Sequence, residues 1–261
     1  MSSQILCVVG DKFAKFAGEG NGVTFSQFEN VDLRRQLGIN QIVVGQGISA
    51  EQIKAIKTHV ETCGAADKLI VQESVSRKVD RVLVHKRVEK NVMVTHPERV
   101  SENDFTADMV VDDDCAEMSD HTTGIHMQGT LFVEAARQMF MACSMYLLEP
   151  YGGYHKYIFT LQNIEVDYRK FFYPLPISME LSLEKVKEFR KMGVLQAVVN
   201  ITFSQLGEKG VTCQCKARGY QTEVLQNFEE DGASDAFERM YQLAGITDST
   251  SNDRTVLVGV A

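Results

Sequence analysis

Ser119-Asp120-His121-Thr122-Thr123-Gly124-Ile125-His126-Met127-Gln128-Gly129-Thr130-Leu131-Phe132-Val133-Glu134-Ala135-Ala136-Arg137-Gln138-Met139-Phe140-Met141 decides how this chain reads. A polar loop with two histidines runs straight into an apolar stretch. The spacing predicts a helix over residues 129–148, stopped by Pro150 and by Gly152-Gly153. It carries few charges and is apolar on most faces, so other structure has to wrap it. Gln128, Glu134, Arg137 and Gln138 interrupt the apolar run. Positions 134, 137 and 138 stand three and four residues apart, so these polar groups share one side of the helix.

Outward from the helix, the chain is rich in strands. Residues 157–168, 177–187, 194–205 and 211–222 follow it as β-rich runs, and Gly207-Glu-Lys-Gly210 reads as a hairpin turn. Before it, residues 82–86, 91–95 and 104–111 are strand-like; the last alternates Phe105, Ala107, Met109 and Val111 toward one face. One buried helix among six or seven mostly antiparallel strands predicts an α+β fold in which a strongly curved sheet rolls around the helix. That is the hotdog arrangement. Such a sheet keeps an open edge, so a homodimer is the expected cure.

Residues 1–75 read as a separate small α/β unit, with short strands at 5–9, 41–44 and 68–71. Ser49 and Gln52 form a capping box for a helix with apolar residues at 53, 56 and 60, closed by Gly64. A helix between two strands favours a parallel crossover. Gly18-x-Gly20-x-Gly22 neither follows a strand nor opens a helix, so it fails as a dinucleotide fingerprint. Gly45-Gln-Gly47 lies between strand and helix, where an anion can sit. It lacks the Gly-Lys-Ser/Thr of a phosphate loop, so a tight turn is the stronger reading. Residues 76–82 are charged and link this unit to a domain over 82–222. Residues 223–261 form an acidic extension with an amphipathic helix at 236–243.

Composition narrows the function classes. A net charge of −8 speaks against nucleic-acid binding, which needs clustered Lys and Arg. No apolar run is long enough to span a membrane. The first ten residues lack the basic start of a signal peptide, which predicts a cytoplasmic protein. Six cysteines without a C-x-x-C pair point to free thiols, and no metal site is expected.

Two separated motifs resemble one family. Val84-His85-Lys86 precedes Val92-Met-Val-Thr95, and Ile125-His126-Met-Gln-Gly129-Thr-Leu-Phe-Val-Glu134-Ala-Ala-Arg-Gln138 follows in the same order. Both are similar to the A-factor biosynthesis (AfsA) hotdog family, over about residues 82–222. His121-Thr-Thr-Gly124, Gly129 and Glu134 also match, more loosely, the loop and helix of hotdog acyl-thioester dehydratases. Ile125 stands where the AfsA pattern has Asp beside the histidine; here the aspartate comes earlier, as Asp120-His121. The AfsA pattern resembles two hotdog units in one chain, whereas this chain has one.

The resemblance implies an acyltransferase of butyrolactone-type secondary metabolism. Such an enzyme joins a β-ketoacyl group from acyl carrier protein or coenzyme A to a small hydroxylated acceptor such as a triose phosphate. No tightly bound cofactor is implied. A hydroxyacyl-thioester dehydratase or thioesterase is the second reading, and a non-catalytic acyl-ligand binding or scaffold protein the third. His126 suits a general base at neutral pH. Asp120 is placed to orient His121, and Glu134, if buried without a partner, suits acid/base work through a raised pKa. The other reading of Glu134 is an ion pair with Arg137 or Arg169. Gly129, at the helix N-terminus, is a candidate oxyanion donor by analogy with the family. Arg137, with Gln138 beside it, is a phosphate anchor or a partner of Glu134. His85 and Lys86 are expected on opposite faces of a strand, so one at most lines a pocket. Tyr168-Arg169-Lys170 is a candidate basic rim. His126 and Glu134 are expected to converge on one apolar tunnel.

Overall fold

The structure, a computed structural model, describes residues 4–35, 38–70, 78–120 and 124–244. The chain opens with a parallel sheet. β1 (Gln4–Val9), β2 (Gly22–Thr24), β3 (Ile39–Val44) and β4 (Leu69–Ile70) stand in the order β2-β1-β3-β4, every neighbouring pair parallel. Short helices α1 (Ala14–Gly18) and α2 (Phe25–Phe28) flank β2, and α3 (Ala50–Thr62) joins β3 to β4. The predicted capping box is present: the Ser49 hydroxyl accepts from the Gln52 N–H, and the Gln52 side chain accepts from the Ser49 N–H. Ile53, Ile56 and Val60 are the buried stripe of α3. β2 is too short to leave a pattern in the sequence and was not expected.

The second sheet is antiparallel and follows β5 (Glu98–Arg99), β6 (Asp104–Met109), β7 (Tyr157–Tyr168), β8 (Ile177–Phe189), β9 (Val194–Gln205) and β10 (Glu208–Gln221). Among the described residues its order is β5-β6-β8-β9-β10-β7. α4 (Gly129–Leu147) packs into this sheet. One buried cluster joins Leu131, Phe132, Ala135, Ala136, Met139 and Cys143 of the helix to Phe105, Met179, Leu181, Ile201, Phe203 and Cys213 of the strands. Apolar residues around most of α4 follow from this packing: the curved sheet covers one side, and Val79, Val84 and Val92 meet Ala142 on another.

Five local expectations are corrected. Residues 82–86 are not a strand but a run of turns. The Asp80 carboxylate accepts from the Val82 N–H at 2.9 Å and its carbonyl accepts from Leu83, the local capture that Asp offers against strand pairing. His85 sits in the left-handed region at φ 55°, so the two-faced alternation of His85 and Lys86 does not apply. In residues 91–95, Asn91 closes a 3-10 turn, and only Val94 and Thr95 bridge to Met109 and Lys78. The last hairpin turns at Leu206-Gly207, both with positive φ (54° and 79°), and Gln205 faces Glu208. That is a two-residue turn matched to strand twist. Finally, the acidic extension begins as α5 (Thr222–Leu243), far longer than residues 236–243.

The two sheets share a core. Val9, Phe13 and Ala17 belong to the same buried cluster as α4. Gly45-Gln46-Gly47 is filled by protein rather than by an anion. The Gln46 side chain donates to Met109 O (2.9 Å) and accepts from the Val111 N–H (2.8 Å), while its backbone N–H donates to Pro174 O. A Cβ at Gly45 would lie 2.1 Å from Pro174 O, so only glycine permits this approach.

Candidate functional site

α4 begins at the wall of a cavity of about 650 Å³. His126, Gln128, Gly129 and Thr130 border it from the loop and the first helical turn. Phe132, Phe172 and Val211 supply its apolar wall, and Tyr168, Arg169, Lys170 and Phe171 come from the end of β7 and the residues after it. Helix N-termini carry unpaired N–H groups and the positive end of the macrodipole, so this border favours negative charge. The Gln128 side chain does not cap the helix; it donates to Glu117 O instead. The Tyr168 hydroxyl donates to Gly129 O at 2.7 Å, tying β7 to the first turn. Burial, and then the nearby Cys213, push the Tyr168 hydroxyl above its ordinary pKa, so it stays a donor at neutral pH. The His126 ring meets Phe171 with centroids 5.1 Å apart, and Phe171 is 73% exposed. An imidazole and an exposed aromatic thus stand at the mouth of the cavity.

Glu134 lies elsewhere. Its carboxylate accepts from Arg137 Nε at 2.9 Å and Nη2 at 2.8 Å, from Gln138 Nε2 at 2.9 Å, and pairs with Lys86 Nζ at 2.8 Å. Lys86 also pairs with Glu117 at 2.9 Å. Burial alone would raise the Glu134 pKa, but hydrogen bonds from Arg137, Lys86 and Gln138 outweigh it and hold it down to about 2. That shift is opposite to the one a neutral general acid needs. The ion pair with Arg137 is the reading that holds; Arg169 pairs instead with Asp167 at 2.7 Å. Arg137 spends Nη2 on Glu134 and on Val84 O as well, which removes part of its fork from any phosphate. Gln138, fully buried, accepts from the Met93 N–H and donates to Asn91 O, stitching α4 to residues 91–93.

The expected convergence of His126 and Glu134 on one tunnel is not what the protomer presents. His126 borders the large cavity and Glu134 does not. His85 faces a second hollow of about 60 Å³ with Arg137, Met141, Phe159 and Leu161. Asp120 is exposed, and His121 lies outside the described residues. Among the described residues, no group of three or more His, Cys, Asp and Glu side chains is arranged to hold a metal. No described helix is long and apolar enough to cross a membrane. Sequence reasoning missed Lys86 as a partner of Glu134, although both stand in the quoted motifs. It missed Glu117 altogether, for which the sequence offers no signal. It passed over Phe171 and Phe172, whose signal was their place directly after the basic pair.

The family described as the A-factor biosynthesis hotdog domain matches residues 71–221. The chain belongs to that family. Its Val84-His85-Lys86 and Glu134-Ala-Ala-Arg-Gln138 motifs meet in space in the Lys86–Glu134–Arg137 cluster. No curated relative matches by sequence. Among solved structures, the chain is similar to the dehydratase heterocomplex ApeI:P from Xenorhabdus doucetiae, at 19% identity over 58% of this chain and 97% of that one, TM-score 0.44. It is also similar to a thioesterase of Haemophilus influenzae, at 9% identity over 54% and 87% of the two chains, TM-score 0.40. A mutant thioesterase of Pseudomonas aeruginosa matches at 13% identity over 49% and 81%, TM-score 0.36.

Proposed function

We propose that this AfsA-family protein processes acyl thioesters as an acyltransferase, joining an acyl or β-ketoacyl group from acyl carrier protein or coenzyme A to a small hydroxylated acceptor such as a triose phosphate. One observation carries the reading. The His126 imidazole and the first turn of α4 border the same aromatic-walled cavity of about 650 Å³, a size that suits an acyl chain. In the proposed step His126 takes the acceptor's hydroxyl proton as that oxygen adds to the thioester carbonyl. The N–H groups of the first turn of α4, Gly129 among them, stabilise the oxyanion. Collapse breaks the C–S bond, and the departing thiolate takes the proton from the imidazolium. Arg169 and Lys170 are exposed and paired with Asp167 and Glu208, pairs that a phosphate at the cavity rim can displace. Glu134 stays ionised and holds Lys86 and Arg137 in place.

Two copies suit this reading. β7 ends the sheet and exposes Ile158, Leu161 and Tyr168, an edge that a second copy would cover. The test is mass spectrometry of the purified protein incubated with acyl carrier protein thioesters of several chain lengths, with and without dihydroxyacetone phosphate. An ester formed only with the acceptor supports the proposal. A free acid assigns a thioesterase, an alkene a dehydratase, and binding without turnover a ligand-binding or scaffold protein.

A further inference from the structure

Contacts between the N-terminal sheet unit and the cavity are explained by neither the motifs nor the family likeness. Lys12 Nζ donates to Met118 O at 2.8 Å. The backbone N–H of Phe16 donates to Gly124 O at 2.8 Å. The Phe16 ring stacks on Tyr173, centroids 5.7 Å apart and planes within 24°. A Cβ built on Gly124 would lie 3.3 Å from Lys12 O and from the Lys15 stem, so α1 and this loop are already in close contact. Gly124 stands two residues before His126, and Tyr173 two residues after Phe171. The Met127 N–H donates to Phe172 O at 2.8 Å and joins the two segments.

Each wall of the cavity mouth is thus held twice, once by its neighbour and once by α1. The approaches are held as well. Gln46 grips Met109 and Val111 ahead of the histidine loop, and Pro174 beyond Tyr173. A loop with few strand or helix bonds of its own keeps one shape only where outside anchors offset the entropy of ordering it.

We propose that the N-terminal unit is a positioning element of the cavity. Phe16 holds Gly124 by its backbone N–H and Tyr173 by its ring, and Lys12 holds Met118 ahead of the histidine loop, so that His126 and Phe171 keep their contact at the mouth. The proposal rests on the acyl-thioester reading only for what the cavity binds; the positioning itself is independent of it.

The experiment is hydrogen–deuterium exchange on the full chain, comparing wild type with Phe16→Ala and Lys12→Met. Phe16→Ala removes the ring from Tyr173, so exchange over residues 168–173 is expected to quicken about tenfold; Lys12→Met removes the donor to Met118 O, so residues 115–119 are expected to quicken likewise. Residues 124–130 should quicken in both, because they are joined to Phe172 and follow Met118, with the middle of α4, β8 and β9 unchanged. Phe16→Tyr and Lys12→Arg, which keep the ring and the cation, should restore wild-type exchange. Decanoyl-coenzyme A, titrated by calorimetry, should bind about tenfold more weakly to Phe16→Ala than to wild type, in step with the local opening. Unchanged exchange over residues 124–130 in both variants would overturn the proposal, as would an equal rise across β8 and β9. Where Phe16→Ala does not fold, Lys12→Met decides. If wild type fails to bind decanoyl-coenzyme A, the acyl-thioester reading is weakened, while the exchange comparison still judges the positioning.

Discussion

Two stretches of one helix behave as opposites. At its first turn, Gly129 and Thr130 border an open cavity whose mouth is His126 and an exposed phenylalanine. Five residues past Gly129, Glu134 is bound by Arg137, Gln138 and Lys86. Both stretches lie in the same sequence motif, yet the first borders the cavity of about 650 Å³ and Glu134 does not. A motif shows which residues travel together; what each side chain borders separates a cavity wall from a fastening. Glu134 is fastened by Arg137, Gln138 and Lys86, and His126 borders the cavity where we propose the chemistry.

That division can be broken in several ways, beginning with the largest effect. His126→Ala should lower acyl transfer from an acyl carrier protein thioester by about 10²–10⁴-fold, the usual share of a general base, with an unchanged melting temperature. If the variant keeps full activity, the imidazole plays no part. Glu134→Ala should instead act on folding. It leaves Lys86 and Arg137 half-buried beside an empty position, a loss of roughly 3–5 kcal/mol in denaturant unfolding. A Glu134 variant that is stable but inactive would move this residue from fastening to chemistry.

The acid limb of stability sharpens the same point. The Glu134 carboxyl titrates at an ordinary 4.5 when free and at about 2 in the fold. Its contribution is therefore fully present above pH 4.5 and is lost as the pH falls toward 2, roughly 3 kcal/mol in all. Glu134→Gln should flatten that limb in a urea-denaturation series between those values; an unaltered limb would show that the ion pair carries little. The smallest effect is expected from Tyr168→Phe. It removes the donor to Gly129 O and should cost about 1 kcal/mol of stability, with a modest loss of turnover, because the first turn of α4 is less firmly held. A Tyr168→Phe protein with wild-type melting temperature and wild-type turnover would show that this bond is idle.

The same contrast explains what was legible from the sequence. Periodicity is local, so the long helix, the four long strands after it and the capped helix α3 could be read from spacing. Turn chemistry is local too, but it competes. Asp80 captures the Val82 N–H and turns an apparently β-rich run, Val82 to Lys86, into a bend. The partnership of Lys86 with Glu134 spans 48 positions, and nothing in either residue's neighbourhood announces it (134 − 86). Gln46 is the clearest case. In sequence it is a polar residue between glycines; in the fold it is buried and satisfies backbone groups of a different sheet. Long-range hydrogen bonds leave no period, so the joint between the two sheets was invisible where the elements themselves were not.

α5 leaves β10 without an intervening loop, and from Gln226 to Ala244 every residue is exposed. At 1.5 Å per residue, that stretch is a stalk of roughly 28 Å. A helix of this length with little to lean on, and with Gly232 in its middle, is only marginally stable in water. Among the described residues it should be the first part to melt and the first that a protease trims, leaving the rolled sheet whole.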